Sequence, residues 1–333
     1  MLRRFTACLA ALLCLFAAPV HAAALNDVAE LSTLSQWDER FMDNSFKYSN
    51  NHFRFGGCGP ASLANGVIAA LDVTDQDLAA GILRDLLYLL TRSNPNKNKV
   101  QIASLDYLVS AAEQPDLADE RYPSLNQALR DFGGTMRYYN GNINAKTLPA
   151  LLPDGNDGPI MLQGSFHSED RWTNIREVIQ TLTDAGYEDA RIVLSFLGAG
   201  TPGTKSPFRS GDAGHYLCIC ISMAEFLQTG QFYVLDSLPR ALAGEEFGSG
   251  LTYQLQYDFL KPQKFSTSLD NFNALFQVER VTPTIVRVVP IGQALESVEA
   301  AQRDGALPLD ALMPFLLQVA QFNGSSHIFI TLP

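Results

Sequence analysis

A cysteine, a histidine and an aspartate occur here in settings that suit thiol chemistry. Cys58 lies in Gly56-Gly57-Cys58-Gly59-Pro60-Ala61-Ser62-Leu63. The glycines let backbone approach the sulfur closely, and Pro60 suits a first helical turn. A helix that begins at a cysteine turns unpaired amide groups and the positive end of its dipole toward the thiol. Both favour the thiolate, which is the nucleophile. A small buried residue is the plainer role for Cys58, but packing alone does not call for glycines on both sides.

His215 follows Gly211-Asp212-Ala213-Gly214 and opens Tyr216-Leu217-Cys218-Ile219-Cys220-Ile221, an expected strand. A histidine at a strand mouth after a glycine loop is well placed to face a cleft. Its near-neutral pKa suits a general base. Asp236 ends the next expected strand, Phe232-Tyr233-Val234-Leu235. The polar Gln228-Thr229-Gly230 between the two points to a hairpin. In a hairpin the end of the second strand lies near the start of the first. Asp236 can then fix the imidazole tautomer. It also suits a turn before Ser237-Leu238-Pro239. A thiolate, a base and an orienter together support acyl transfer through a thioester.

Two further histidines are weaker candidates. His167, in Gly164-Ser165-Phe166-His167, reads as a solvated strand-end residue that could also contact substrate. His327 is a reserve base with no acid nearby in sequence. Metal and nucleotide signals are poor. Cys218 and Cys220 alternate to one face but lack the spacing and further ligands of a zinc site. Gly198-Ala199-Gly200-Thr201-Pro202-Gly203-Thr204 lacks a Gly-Lys-Ser/Thr ending. The expectation is therefore no cofactor and no metal.

Cys-Gly-Pro-Ala-Ser-Leu-Ala-Asn heading a helix, Gly-His-Tyr opening a strand and Tyr-Val-Leu-Asp-Ser closing the next resemble the papain-like cysteine peptidase clan. The likeness is greatest to peptidase C39-like proteins, with phytochelatin synthases as another similar branch. It covers residues 50–71 and 211–238. It implies a papain-like thiol hydrolase fold of the α+β class, with a helical N-terminal half and an antiparallel sheet in the C-terminal half. It also implies a catalytic triad of Cys58, His215 and Asp236. The spacing from Cys58 to His215 is longer than is usual in C39 peptidases and approaches that of papain. These families place a glutamine about six residues before the cysteine to complete the oxyanion hole. This chain has His52 there, preceded by Asn51, so these two are the oxyanion candidates that the resemblance leaves.

The elements that must position these residues can be read in outline. Leu63, Val67, Ile68 and Leu71 recur at helical spacing over 59–71. A second helix is expected from Thr74, with Thr74 and Asp77 as a capping box. Further helices are expected over 101–112, 124–132, 172–185, 291–301 and 309–320. Strands are expected over 159–166, 191–197, 215–223, 231–238, 282–289 and 327–332. Helices come first and strands later, an α+β order.

Residues 1–22 read as a secretory signal peptide: Arg3 and Arg4, an apolar run from Ala7 to Pro19, and a cleavage site after Ala22. The expected mature chain, 23–333, is one extended domain with 240–333 as a possible accessory region, exported to the periplasm or secreted. The leader holds two of the 24 basic residues and none of the 35 acidic ones, so its removal takes the net charge from −11 to −13. Such a chain is a poor non-specific ligand for nucleic acid. No later segment is apolar and long enough for stable membrane insertion. The expected partner is a peptide or peptide-like substrate, neutral or basic. Cys58, Cys218 and Cys220 remain after cleavage. The odd number leaves at least one thiol free within the chain.

Overall fold

The computed structural model describes residues 24–35, 38–41, 47–48, 51–52, 58–93, 122–153, 158–166, 171–198, 215–237, 274–319 and 322–333. The leader, the expected helix at 101–112 and the loop before His215 lie outside these residues.

A short ribbon pairs β1 (Lys47–Tyr48) with β2 (Asn51–His52). Three helices follow: α1 (Cys58–Ala70), α2 (Gln76–Ser93) and α3 (Pro123–Phe132). The expected capping box at Thr74 is displaced by one residue. The Asp75 carboxylate accepts the Leu78 N–H at 2.7 Å and starts α2 in its place. A side-chain acceptor of this kind satisfies an amide with no intrahelical partner.

The remaining strands form one eight-stranded sheet. They are β3 (Thr135–Asn142), β4 (Ile160–Phe166), β5 (Arg191–Gly198), β6 (His215–Ser222), β7 (Phe232–Leu235), β8 (Phe276–Arg280), β9 (Ile285–Pro290) and β10 (Phe322–Leu332), in spatial order β3-β4-β10-β5-β6-β7-β9-β8. All neighbours are antiparallel except β3 and β4. The sheet is thus mixed rather than wholly antiparallel. Residues 276–332 supply three of its strands, and β10 lies in its interior between β4 and β5.

Helices cover both faces. On one lie α1, α2 and α3, packed on Met161, Val193, Cys218, Cys220, Leu235 and Phe329. On the other lie α4 (Arg171–Asp184), α5 (Met223–Thr229), α6 (Gly292–Arg303) and α7 (Pro308–Val319), over Ile192, Leu194, Ile219, Ile221, Val234 and Ile328. Period-two alternation along β5 and β6 feeds both cores, so these strands read as nearly continuous apolar runs. α4 buries Trp172, Ile175, Val178, Ile179 and Leu182, a single stripe of its surface. Burying each aliphatic member contributes about 1.5–3 kcal/mol.

The expected hairpin is only partly realised. β6 and β7 do pair, with Cys218 opposite Leu235. However, α5 occupies the connection. It ends at Gly230, φ 70°, whose N–H caps it at Phe226 O. A side chain at Gly230 would also meet Val298 at 3.0 Å, so both the left-handed turn and the packing favour glycine.

Candidate thiol site

α1 is the element that carries Cys58. Every residue from Pro60 to Ala70 is buried, because the sheet lies beneath the helix and the N-terminal arm and α2 flank it. A helix apolar on all sides belongs in a core. It is seated by polar atoms as well. The Ser62 hydroxyl lies 3.0 Å from that of Ser195 on β5 and 3.3 Å from Cys218 Sγ on β6. Cys218 Sγ in turn donates to Ser62 O at 3.0 Å. One turn later, a Cβ on Gly66 would sit 3.1 Å from the Phe329 ring, so glycine here sets how closely α1 approaches the sheet.

These contacts fix the direction of the helix. Ser62 lies over the Ser195–Cys218 pair. Ala69 O, near the C-terminus, accepts from Arg191 Nη1, and Arg191 pairs with Ser222 at the far end of β6. The start of α1 therefore points to the end of the sheet where β6 begins. Position 58 lies about 6 Å beyond Ser62 along the helix. His215, the first residue of β6, lies about 10 Å beyond Cys218 along the strand, in the same direction. β7 ends there too, and Asp236 follows it. The backbone thus brings positions 58, 215 and 236 to one end of the sheet. Alternation sets 215 and 236 in step with Ile219 and Val234, on the face away from α1.

Asp236 is buried, at 1% exposure, and its N–H donates to Thr284 O at 2.9 Å. It has a charged neighbour that sequence reading missed. Burial lowers the Arg280 pKa below its usual value, and the Asp236 carboxylate acts in the opposite direction. Arg280 comes from β8, an edge strand far along the chain that was not foreseen.

Asn51 and His52 form β2, opposite Tyr48 and Lys47. His167 lies outside the described residues, just past the end of β4. His327 is half-buried on β10, in a ladder row with Ser165, Ser195 and Cys218. Two residues on is Phe329, beneath Gly66, so His327 belongs to the face that α1 covers. Its sequence neighbourhood gave no sign of this, because the row is assembled from four separate strands.

Cys218 and Cys220 are free thiols inside the core. Burial pushes each up to about 12, against smaller lowering contributions from Ser62 and Ser195 for Cys218 and from Arg191 for Cys220. Among the described residues, no group of three or more His, Cys, Asp or Glu is disposed to hold a metal ion. None of their helices is long and apolar enough to cross a membrane. A half-open cleft of about 370 Å³, lined in part by Asn26, Asp72, Asp75, Asp131 and Phe132, lies at the opposite end of α1 from Cys58.

Compared with known proteins, the chain matches no family model, no curated relative and no solved structure.

Proposed function

We propose that this chain is an exported, papain-like thiol hydrolase of the peptidase C39-like kind, acting on a peptide or peptide-like amide. One observation carries the reading. α1 begins at Cys58, at the sheet end where β6 opens with His215 and β7 runs out into Asp236. A helix start favours the thiolate form, and the His215 imidazole takes its proton. The thiolate then adds to the amide carbonyl carbon. The Cys58 amide, with Asn51 or His52, donates to the oxyanion. The C–N bond breaks as the imidazolium protonates the leaving nitrogen. Water, deprotonated by His215, attacks the thioester and the C–S bond breaks, releasing the acid and restoring the thiolate–imidazolium pair. Asp236 holds the imidazole throughout.

The test is alkylation by iodoacetamide as a function of pH, read at the Cys58 peptide by mass spectrometry. A Cys58 that titrates well below a free thiol, and loses that reactivity in His215→Ala, supports catalysis. Ordinary thiol reactivity that is indifferent to His215 overturns it and leaves a non-catalytic binding protein. With an activated thiol, products from a peptide library separate hydrolysis from acyl transfer of the phytochelatin-synthase type.

A further inference from the structure

We infer that Thr33–Ser35 of the N-terminal arm is a strap that positions Asp236 relative to the helix of Cys58, with Asn65 and Thr284 as its positioning residues. The inference rests on the thiol-hydrolase reading and assigns the arm a part in it.

Three consecutive arm residues make the connection. Leu34 is tied to α1. Its N–H donates to Asn65 Oδ1 at 2.7 Å, and Asn65 Nδ2 donates to Leu34 O at 3.0 Å. The residues on either side are tied to the segment around Asp236. The Thr33 and Thr284 hydroxyls lie 2.6 Å apart, and Thr284 Oγ1 also reaches Thr33 O at 3.3 Å. Ser35 Oγ donates to Ser237 O at 3.1 Å. Thr284 itself accepts the Asp236 N–H. A continuous path of hydrogen bonds thus runs from α1, through the arm, to both sides of Asp236.

The path is buried. Asn65 and Ser237 are 0% exposed, Thr284 4% and Thr33 7%. Apolar contacts alone would allow the arm to slide. A side-chain amide paired at both atoms with the N–H and C=O of one residue holds a single register, because a slip would strand buried donors and acceptors. Leu34, itself in the core, keeps water from replacing these bonds. Three anchors on successive residues, directed at two parts of the site, exceed what docking an arm requires.

The test uses the full chain and Cys58 alkylation. Thr284→Val removes the hydroxyl at nearly constant volume, and Thr284→Ser retains it. Thr284→Val should raise the pH at which Cys58 becomes reactive, cutting its rate near pH 6 about tenfold, as a one-unit shift requires. Thr284→Ser should restore the rate. In an Asp236→Asn background Thr284→Val should add nothing, because coupled residues are non-additive. Equal losses with and without Asp236, or no loss in a folded Thr284→Val protein, overturn the strap. Should Thr284→Val fail to fold, Ser35→Ala replaces it with the same expectations. A wild-type Cys58 that titrates as a free thiol, and is indifferent to His215→Ala, overturns the hydrolase reading and the strap together. An activated Cys58 that ignores the strap variants overturns the strap alone.

Discussion

Cys218 Sγ donates to the backbone carbonyl of Ser62 at 3.0 Å, joining the first turns of α1 to the middle of β6. Ser62 is one helical turn after Cys58, and Cys218 is three residues after His215. This contact therefore sets the offset between the helix start and the strand mouth. It also satisfies a thiol that is fully buried. Ser62→Ala removes the hydroxyl that lies against Ser195 and Cys218 but keeps the carbonyl to which the thiol donates, at a cost of about 0.5–1.5 kcal/mol. Urea unfolding should show a lower midpoint with an unchanged slope. Cys218→Ser, which retains a donor, should lose less than Cys218→Val.

The core thiols should be chemically silent. Cys218 and Cys220 are both pushed up to about 12 by burial. In the native protein near pH 8, iodoacetamide should leave their peptides unmodified. In denaturant both should label. Native labelling of either one shows that α1 opens away from the sheet under those conditions.

His215 and His327 occupy different places relative to α1. His215 opens β6 at the end where α1 begins, whereas His327 shares the α1-covered face with Ser195. His215→Ala is expected to slow Cys58 alkylation near pH 6.5 by tenfold or more, the loss of about one pKa unit of activation. His327→Ala should leave that rate within about twofold. The reverse pattern identifies His327 as the thiol's partner.

Arg191 holds the other end of α1. It is 1% exposed, with Nη1 2.9 Å from Ala69 O and 2.6 Å from Asp72 Oδ1, and Nη2 bonded to Asn26 O. Its charge also lies against the negative end of the helix dipole. Arg191→Met removes the donor to two carbonyls and to one oxygen of the part-buried Asp72 carboxylate, whose other oxygen keeps its bonds from Asn26, at a cost of about 1–3 kcal/mol. Adding Asp72→Asn should recover part of that loss. Equilibrium unfolding of the two variants checks both statements.

Asp85 introduces a pH dependence. Burial raises its pKa, only partly opposed by the N–H groups of Leu125 and Ser124 that its Oδ2 caps. The folded state therefore binds this proton more tightly than the unfolded chain. The stability it contributes is full below its ordinary value of 3.8 and is lost as pH rises through the raised folded value. Asp85→Asn, which retains an acceptor for the cap, should flatten that part of the stability–pH curve. Urea midpoints across the acidic range should show the difference.

Much of the site's scaffolding was legible in the residues. The apolar spacing after Cys58 located α1 to within a residue at each end. The runs at 191–197 and 215–223 marked β5 and β6. The stripe of Ile175, Val178, Ile179 and Leu182 marked α4. Other features were hidden for identifiable reasons. β3 reads Thr-Met-Arg-Tyr-Tyr-Asn-Gly-Asn, an edge strand only half-buried, so its apolar alternation is faint. α5 is a seven-residue helix between two strands, too short for periodicity to distinguish it from a turn. Asp75 and Thr74 are both capable caps, and the choice between them depends on the geometry with which the chain leaves Val73.

The sequence by itself determined where the three candidate residues lie on their local elements. Cys58 lies between glycines at a helix start, His215 opens a strand, and Asp236 ends the next. Local patterns suffice there, because helix starts and strand ends are set by nearby residues. Only the tertiary structure decided what holds them. Ser62 lies against Ser195 and Cys218, Asn65 grips Leu34, and Thr33 meets Thr284 across most of the chain. Small polar residues of this kind carry no periodic signal. Their partners are fixed only once burial removes water and leaves one neighbouring donor or acceptor to replace it.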